Sequence, residues 1–485
     1  MPVPPRTPVI IGRAQLVAQT ADIDNPNEPV QLMTDAARAA VTDAGIDGAT
    51  IDTVGVVGGL FRHPNPGRAI ADQLGATEAQ SVLTTWGGNT PIAFVGELGD
   101  RLARGETSMA LMAGGETGLT RAALRKASRS KLPATVDPSI EPAEAWGAAL
   151  DRGDPTDLER GGEHPRNTYA VFESALRAAA GESLDTARQR AADLWAGFSA
   201  VAATNPDLDV TSMTADDIRE PSSANRMVSW PYTKAMCANN TVDHAGALIM
   251  TTHQRAEELG IAPDQRVYLR DTVVSADTAT FVTRADVASV PGLDAAIVEL
   301  QERWGDLSGI EHVDLYGCFP SMVAYTAHAM GLRLDRELTV TGGLGFMGAP
   351  LNFAAGQALI AMVRRLRADP GSHGLVQGNG GHASKHALGV FSTTPPDELV
   401  VTRTIPAARG TVDRADHDTA GAARIDGITV EYDHSGPSRA VALCRFLDGE
   451  GRMWATSSDP EVFVAATTRE LVGVTVQIAE GQFSL

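Results

Sequence analysis

The sequence predicts an α/β fold made of two similar halves, with a segment inserted in the first half and a small all-β domain at the C-terminus. Three observations predict it. Short β-branched runs alternate with Ala-rich helical stretches from the start, as in a parallel-sheet protein. The same order of landmarks returns after residue 265. Beyond a Thr-Thr-Pro-Pro break at 393–396 the pattern changes to short alternating runs separated by turn residues.

In the first half, residues 7–12 read as a buried strand, 30–45 as a helix ended by Gly45, and 51–59 as the next strand. Residues 91–105 read as a helix, with Asn89 and Thr90 at its cap and Pro91 in its first turn, and 110–115 as a short buried strand stopped by glycine. The second half offers strands at 266–274, 313–318 and 374–378 and helices at 292–304 and 350–366. Gly-Asn-Thr-Pro at 88–91 answers Met-Gly-Ala-Pro at 347–350, and Ala-Gly-Gly at 113–115 answers Gly-Asn-Gly-Gly at 378–381, which points to a tandem duplication. Residues 117–240 are more polar and hold two helical patches, 168–180 and 183–203, so they read as an insertion. Runs at 400–405, 427–432, 440–446, 463–466 and 473–478 read as strands of a small barrel of the oligonucleotide/oligosaccharide-binding (OB) type. The divisions are thus 1–265, with the insertion at 117–240, then 266–396 and 397–485.

The chain has 485 residues, 43% hydrophobic and 21% charged, enough for a large core in about two to four domains or in one large repeated fold with an appendage, and unlike collagen, coiled coils or disordered chains. Sixty acidic against 40 basic side chains give a formal charge of −20, a field that repels phosphate backbones and anionic lipid surfaces. Nucleic acid and membrane are therefore not expected as partners. Cys237, Cys318 and Cys444 lie far apart without metal-ligand spacing, so neither a disulfide framework nor a zinc site is expected. With no apolar run of signal-peptide or membrane-spanning length, the expected compartment is the cytoplasm.

These landmarks resemble the thiolase superfamily, with its two βαβαβαββ halves and its large loop domain inserted in the first. The resemblance covers residues 1 to about 395. Residues 82–117 are similar to the segment that carries the thiolase nucleophile, and 236–251 (MCANNTVDHAGALIMT) to the stretch closing the first half. Residues 313–320 (VDLYGCFP) are similar to the Asn-Glu-Ala-Phe or His-Asp-Cys-Phe segment, 342–350 to the Gly-His-Pro region, and 374–389 to the final Cys-x-Gly region. The C-terminal addition makes the pattern most like thiolase-like proteins of type 1, a divergent group labelled acetyl-CoA acetyltransferase.

The family's reactive side chains are absent. Gly88 or Asn89 stands at the nucleophilic cysteine, Ala349 at the Gly-His-Pro histidine, Gly378 at the second cysteine, and Tyr316 at the Asn or His that holds the oxyanion water. The resemblance implies an acyltransferase or retro-Claisen enzyme acting on a CoA thioester, or a non-catalytic acyl-CoA-binding or protein-interaction protein. Coenzyme A thioester is then substrate, with no tightly bound cofactor and no metal. A homodimer is the default of the family, and the added β domain leaves a monomer open.

Chemistry on a thioester needs a nucleophile, a base and donors for the developing oxyanion. Cys318, beside Phe319, is either a nucleophile or a pocket thiol. His386 is the candidate base and His382, in the same loop, its rival. Asn89, Asn379 and Tyr316 are candidate donors, joined by the N–H groups of Gly87, Gly88, Gly380 and Gly381. Asn352 is placed to face the cavity. For the CoA phosphates, Arg121, Arg125, Lys126, Arg129 and Lys131 cluster in 120–133, and Arg226 and Lys234 form a second, sparser pair.

Overall fold

The computed structural model describes residues 2–128, 140–148, 153–278, 280–406 and 411–485. Its large sheet repeats one pairing scheme. In the first half Pro8–Ala18 runs antiparallel to Asp243–Thr252, which runs antiparallel to Met109–Thr117, which is parallel to Thr53–Val56. In the second half Val267–Ala276, Lys385–Ser392, His373–Gly380 and His312–Asp314 pair in the same order and with the same directions. The halves join where Val9 and Ile10 oppose Tyr268 and Val267.

Helices Thr90–Arg104 and Ala354–Ala368 pack between the halves and touch strands of both, while Pro29–Ala44 and Pro291–Trp304 cover the outer faces, giving αβαβα layers. The sequence dictates this burial. Every residue of Met109–Thr117 is buried; Met109, Leu111 and Ala113 face the core under Pro29–Ala44, and Ala110 and Met112 face Phe94 and Leu98 of the central helix. A strand covered on both faces reads as a continuous apolar run. Burying Ile92, Phe94, Val95 and Leu98 completely contributes about 1.5–3 kcal/mol each.

The C-terminal part closes on itself. Gly421–Asp433, Gly436–Phe446, Arg452–Ser457, Gln482–Ser484 and Thr475–Ala479 form a ring of five strands in that order, Arg452–Ser457 and Gln482–Ser484 parallel, with helix Pro460–Thr468 between Arg452–Ser457 and Thr475–Ala479 in the chain. That is the OB order expected. Residues 463–466, read as a strand, are helical, because Asp459 caps the Glu461 N–H and Pro460 opens the first turn. Residues 400–405 also differ: Arg403–Ile405 joins the large sheet, parallel to Val267–Ala276. Two short insertion strands, Met227–Ser229 and Tyr232–Thr233, extend the barrel sheet through Ser229 and Glu431. Insertion helix Pro165–Ala180 packs on barrel strand Gly421–Asp433, and Arg166 and Arg439 grip Glu431 at 2.6 and 2.7 Å.

Two further differences bear on the site. The strand expected to stop at Gly378 continues to Gly380, because Ala387, His386 and Lys385 pair with Gly378, Asn379 and Gly380; the turn begins at Gly381, whose φ is 61°. The strand expected over 313–318 ends at Asp314, and beyond it Leu315 N–H donates to the Leu338 carbonyl at 2.9 Å. No described helix is long and apolar enough to cross a membrane.

Candidate functional site

Glycines bring the two halves into backbone contact. A Cβ on Gly378 would lie 2.8 Å from Asn89 Cα, and one on Gly380 2.5 Å from Asn89 Oδ1 and 3.0 Å from Gly87 Cα. Only residues without a side chain allow that approach. A third segment enters from the loop after His312–Asp314. The Asp314 carboxylate accepts from Val340 N–H, Thr341 N–H and the Thr339 and Thr341 hydroxyls at 2.8–3.2 Å, which fixes where that loop begins. Tyr316 N–H donates to Gln377 at 3.1 Å, and the ring then lies over Gly88. A Cβ at position 88 would overlap the Tyr316 hydroxyl and the Asn379 carbonyl and lie 2.8 Å from Tyr316 Cζ.

The structure therefore gathers Gly88, Asn89, Tyr316, Asn379 and Gly380. Cys318 joins them through a 3.9 Å contact of its sulfur with the Asn379 amide nitrogen, and Phe319 stacks on Tyr169 with ring centres 4.7 Å apart. Tyr169, on insertion helix Pro165–Ala180, was not singled out in the sequence; its hydroxyl accepts from Asn379 at 2.9 Å and from Ala383 N–H at 3.1 Å. Its only signal was a place in an apolar helical patch. Asn352 accepts from Gly87 N–H at 3.2 Å and donates to the Gly58 carbonyl at 2.7 Å, so it braces the Gly87 turn. Asn89 makes no side-chain cap for the helix it precedes; its Oδ1 is buried and unpaired, as is Asn379 Oδ1. The Asn89 amide nitrogen and the Tyr316 hydroxyl make no hydrogen bond among the described residues.

Burial dominates the electrostatics. It pushes the Cys318 thiol up to about 12 against the donors around it, Tyr169 foremost, and holds Tyr316 well above the usual phenol range. His386 stands opposite Asn379 in the sheet and is fully buried; desolvation, helped by the Arg284 cation, pulls it down to about 3. The Ala383 carbonyl lies near the ring outside hydrogen-bonding geometry, so both ring nitrogens are unpaired among the described residues. A thiol that stays protonated is a weak nucleophile, and an imidazole of such low basicity a weak base at neutral pH. His382 is half-buried at the edge of the cluster, its Nδ1 2.7 Å from Glu163.

Other expected residues lie elsewhere. Gly381 forms the turn after the strand. Arg125 and Lys126 are exposed in the last turn of Gly118–Lys126, and Arg121 pairs with Glu116 at 2.7 Å. Arg129 and Lys131 lie outside the described residues. Arg226 lines a groove of about 560 Å³ with Arg188, Trp230 and Tyr432, where the insertion meets the barrel. Lys385, not singled out as a site residue, donates to the Ala148 carbonyl at 2.9 Å beside Gly87. Among the described residues no group of three His, Cys, Asp or Glu is placed to hold a metal.

Neither a protein-family model nor a curated protein matches the sequence. Solved structures do. A monomeric SCP2-thiolase like protein type 1 from Mycobacterium smegmatis superposes with a TM-score of 0.82 and 28% identity, each chain covered completely. The chain is thiolase-like. An acetyl-CoA acetyltransferase from Syntrophomonas wolfei matches with a TM-score of 0.56 and 16% identity over 80% of this chain and 99% of that one. An Ltp2-ChsH2(DUF35) aldolase matches with a TM-score of 0.60 and 17% identity over 82% and 100%. In this chain Gly88, Gly378 and Gly380 bring the halves into contact, and the Asn89 amide nitrogen and the Tyr316 hydroxyl, donors without a partner among the described residues, stand beside it.

Proposed function

We propose that this chain binds a CoA thioester where its halves meet and promotes making or breaking of the carbon–carbon bond next to the carbonyl, without forming an acyl-enzyme. The observation that carries this reading is the Tyr316 hydroxyl, which fills the space above Gly88 where a nucleophilic side chain would begin. In place of a thiolate the site offers hydrogen-bond donors. Tyr316 Oη and the Asn89 amide nitrogen, without other partners among the described residues, suit the oxygen of a thioester as it takes up negative charge. Losing one such donor typically costs about 10²–10³ in rate.

A second reading, acyl-CoA binding without turnover, is favoured by the basicity of His386 and Cys318, since neither supplies a base or nucleophile near neutral pH. Incubation with 3-ketoacyl-CoA of several chain lengths together with free CoA, whose thiol takes the acyl group released as the carbon–carbon bond breaks, separates the two. Enzyme-dependent cleavage that falls about 100-fold in Tyr316→Phe, with no acyl adduct in the intact mass, is expected. Binding with no turnover at any length supports the second reading, and an acyl adduct on Cys318 contradicts the first.

A further inference from the structure

We infer that Tyr169, carried by the insertion, is a positioning residue of this site and that buried Arg284 acts through the same hydroxyl, an assignment that rests on the CoA-thioester reading above. The Tyr169 hydroxyl bonds to Asn379 and Ala383, not to the donors Tyr316 and Asn89. Asn379 is the residue that matters. Its neighbours Gly378 and Gly380 make the contact with Asn89, and its own carbonyl faces Gly88 beside the Tyr316 hydroxyl. Where Asn379 rests therefore sets how the donors of the two halves face each other.

Tyr169 is itself fixed from several directions. Its ring is buried and stacks on Phe319 with centres 4.7 Å apart. The helix that carries it packs on Pro320–Ala329, where the Ser321 hydroxyl donates to the Tyr169 carbonyl at 3.2 Å. The Tyr169 hydroxyl accepts from the Asn379 amide nitrogen at 2.9 Å and from Ala383 N–H at 3.1 Å, which uses both of its lone pairs. One oxygen from the insertion thus ties the end of strand His373–Gly380 to the loop that follows it.

Arg284 reinforces the second of these bonds. It is 1% exposed, and one terminal nitrogen donates to the carbonyls of His382 and Ala383 at 3.0 and 2.8 Å. The His382 carbonyl and the Ala383 N–H belong to one peptide group, so a cation on the oxygen strengthens the donor that meets Tyr169. Among the described residues the hydrogen bonds of this guanidinium go to carbonyls alone. The residue is held in turn: the Phe281 ring lies 3.9 Å from its guanidinium carbon, and its own carbonyl accepts from barrel residue Arg452, which pairs with Asp426 at 2.8 Å. Ala383 adopts φ 48°, a conformation unusual for a residue with a side chain, and strain kept by surrounding contacts is a feature of positioned site loops.

Tyr169→Phe keeps the stacked ring and removes only the hydroxyl. Turnover of 3-ketoacyl-CoA with free CoA and calorimetric binding of acetoacetyl-CoA are measured on the intact chain, with amide hydrogen exchange of peptides spanning 379–385 read by mass spectrometry. The wild-type protein is expected to bind and to turn over. Tyr169→Phe is expected to lower kcat at least about 10-fold with KM and Kd within about 2-fold, because a small misplacement of reacting groups costs rate rather than binding. Exchange across 379–385 is expected to quicken, since the Ala383 N–H loses its acceptor. A residue serving stability alone would leave kcat of the folded protein unchanged. Arg284→Met is expected to lower kcat in the same way, and the double variant no further than the slower single one, because both act through the Ala383–Tyr169 bond. If Arg284→Met fails to fold, Tyr169→Phe decides alone. An unchanged kcat in folded Tyr169→Phe, or a change confined to KM, overturns the assignment, and losses that multiply in the double variant overturn the shared route. A wild-type protein that binds no thioester, or binds it without turnover, overturns the catalytic reading itself, so the wild-type measurement tells the two failures apart.

Discussion

Introducing a single methyl at Gly88 should destabilise the protein by about 3 kcal/mol, the upper end of the usual cost of overpacking. The magnitude follows from the contact. Carbon atoms rest about 3.5–4.0 Å apart, so a Cβ 2.8 Å from Tyr316 Cζ is about 1 Å too close, and the hydroxyl oxygen and Asn379 carbonyl are closer still. Neither neighbour yields easily: Tyr316 is buried and tied through its N–H to Gln377, and Asn379 is paired with His386 across the sheet. Tyr316→Phe removes only a hydroxyl without a partner among the described residues and should cost under about 1 kcal/mol. In the double variant the hydroxyl overlap is gone, so a coupling energy of at least about 1 kcal/mol is expected. Chemical denaturation followed by tryptophan fluorescence, with circular dichroism to confirm the native fold, measures the cycle. A Gly88→Ala cost within about 0.5 kcal/mol of zero, or additive variants, would refute the reasoning, because the tyrosine would not then occupy that space.

Other outcomes follow from the same geometry. Cys318, with its thiol pushed up to about 12, should resist iodoacetamide at pH 8 in the native protein, and rapid labelling of its peptide would contradict the burial. His386, pulled from its ordinary 6.5 to about 3, favours the folded state fully above pH 6.5, and that contribution is lost as the pH falls. His386→Gln should therefore flatten the fall in stability between pH 6.5 and 4 by up to about 3 kcal/mol, measured by denaturation across that range. Asp314→Ala strands the Val340 and Thr341 N–H groups and should cost about 2–5 kcal/mol, read as a drop in denaturation midpoint. Light scattering should give a monomer near 50.9 kDa, because Glu144–Trp146 pairs with Gln80–Thr84 and covers that edge of the sheet; a stable dimer would contradict the covering.

The duplication was legible because each half repeats the same local signals. Gly45 takes φ 65° at a helix end, Pro91 and Pro350 open the two facing segments, and the apolar run 109–113 must be buried on both faces. Gly87, Gly88, Gly380 and Gly381 were legible as backbone donors from both halves, and in the structure the backbones meet at Gly88, Gly378 and Gly380. What the chain order concealed was long-range. Tyr169 reaches Asn379 across 210 positions, and Glu163 reaches His382 from another part of the chain, so local periodicity carried no sign of either. The basicity of His386 was hidden for the same reason: a histidine in a glycine-rich stretch reads as a loop residue until the strand pairing Asn379 to His386 shows it buried. The run at 463–466 misled because β-branched and aromatic residues suit either a strand or a buried helix, and Asp459 and Pro460 decide for the helix.

A crystal structure with acetoacetyl-CoA, or a stable thioether analogue of it, bound to the intact chain bears most directly on the site. The thioester carbonyl is expected about 3 Å from both Tyr316 Oη and the Asn89 side chain, with no bond from any protein sulfur to the acyl group. Pantetheine seated elsewhere, or an acyl group on Cys318, would contradict the account.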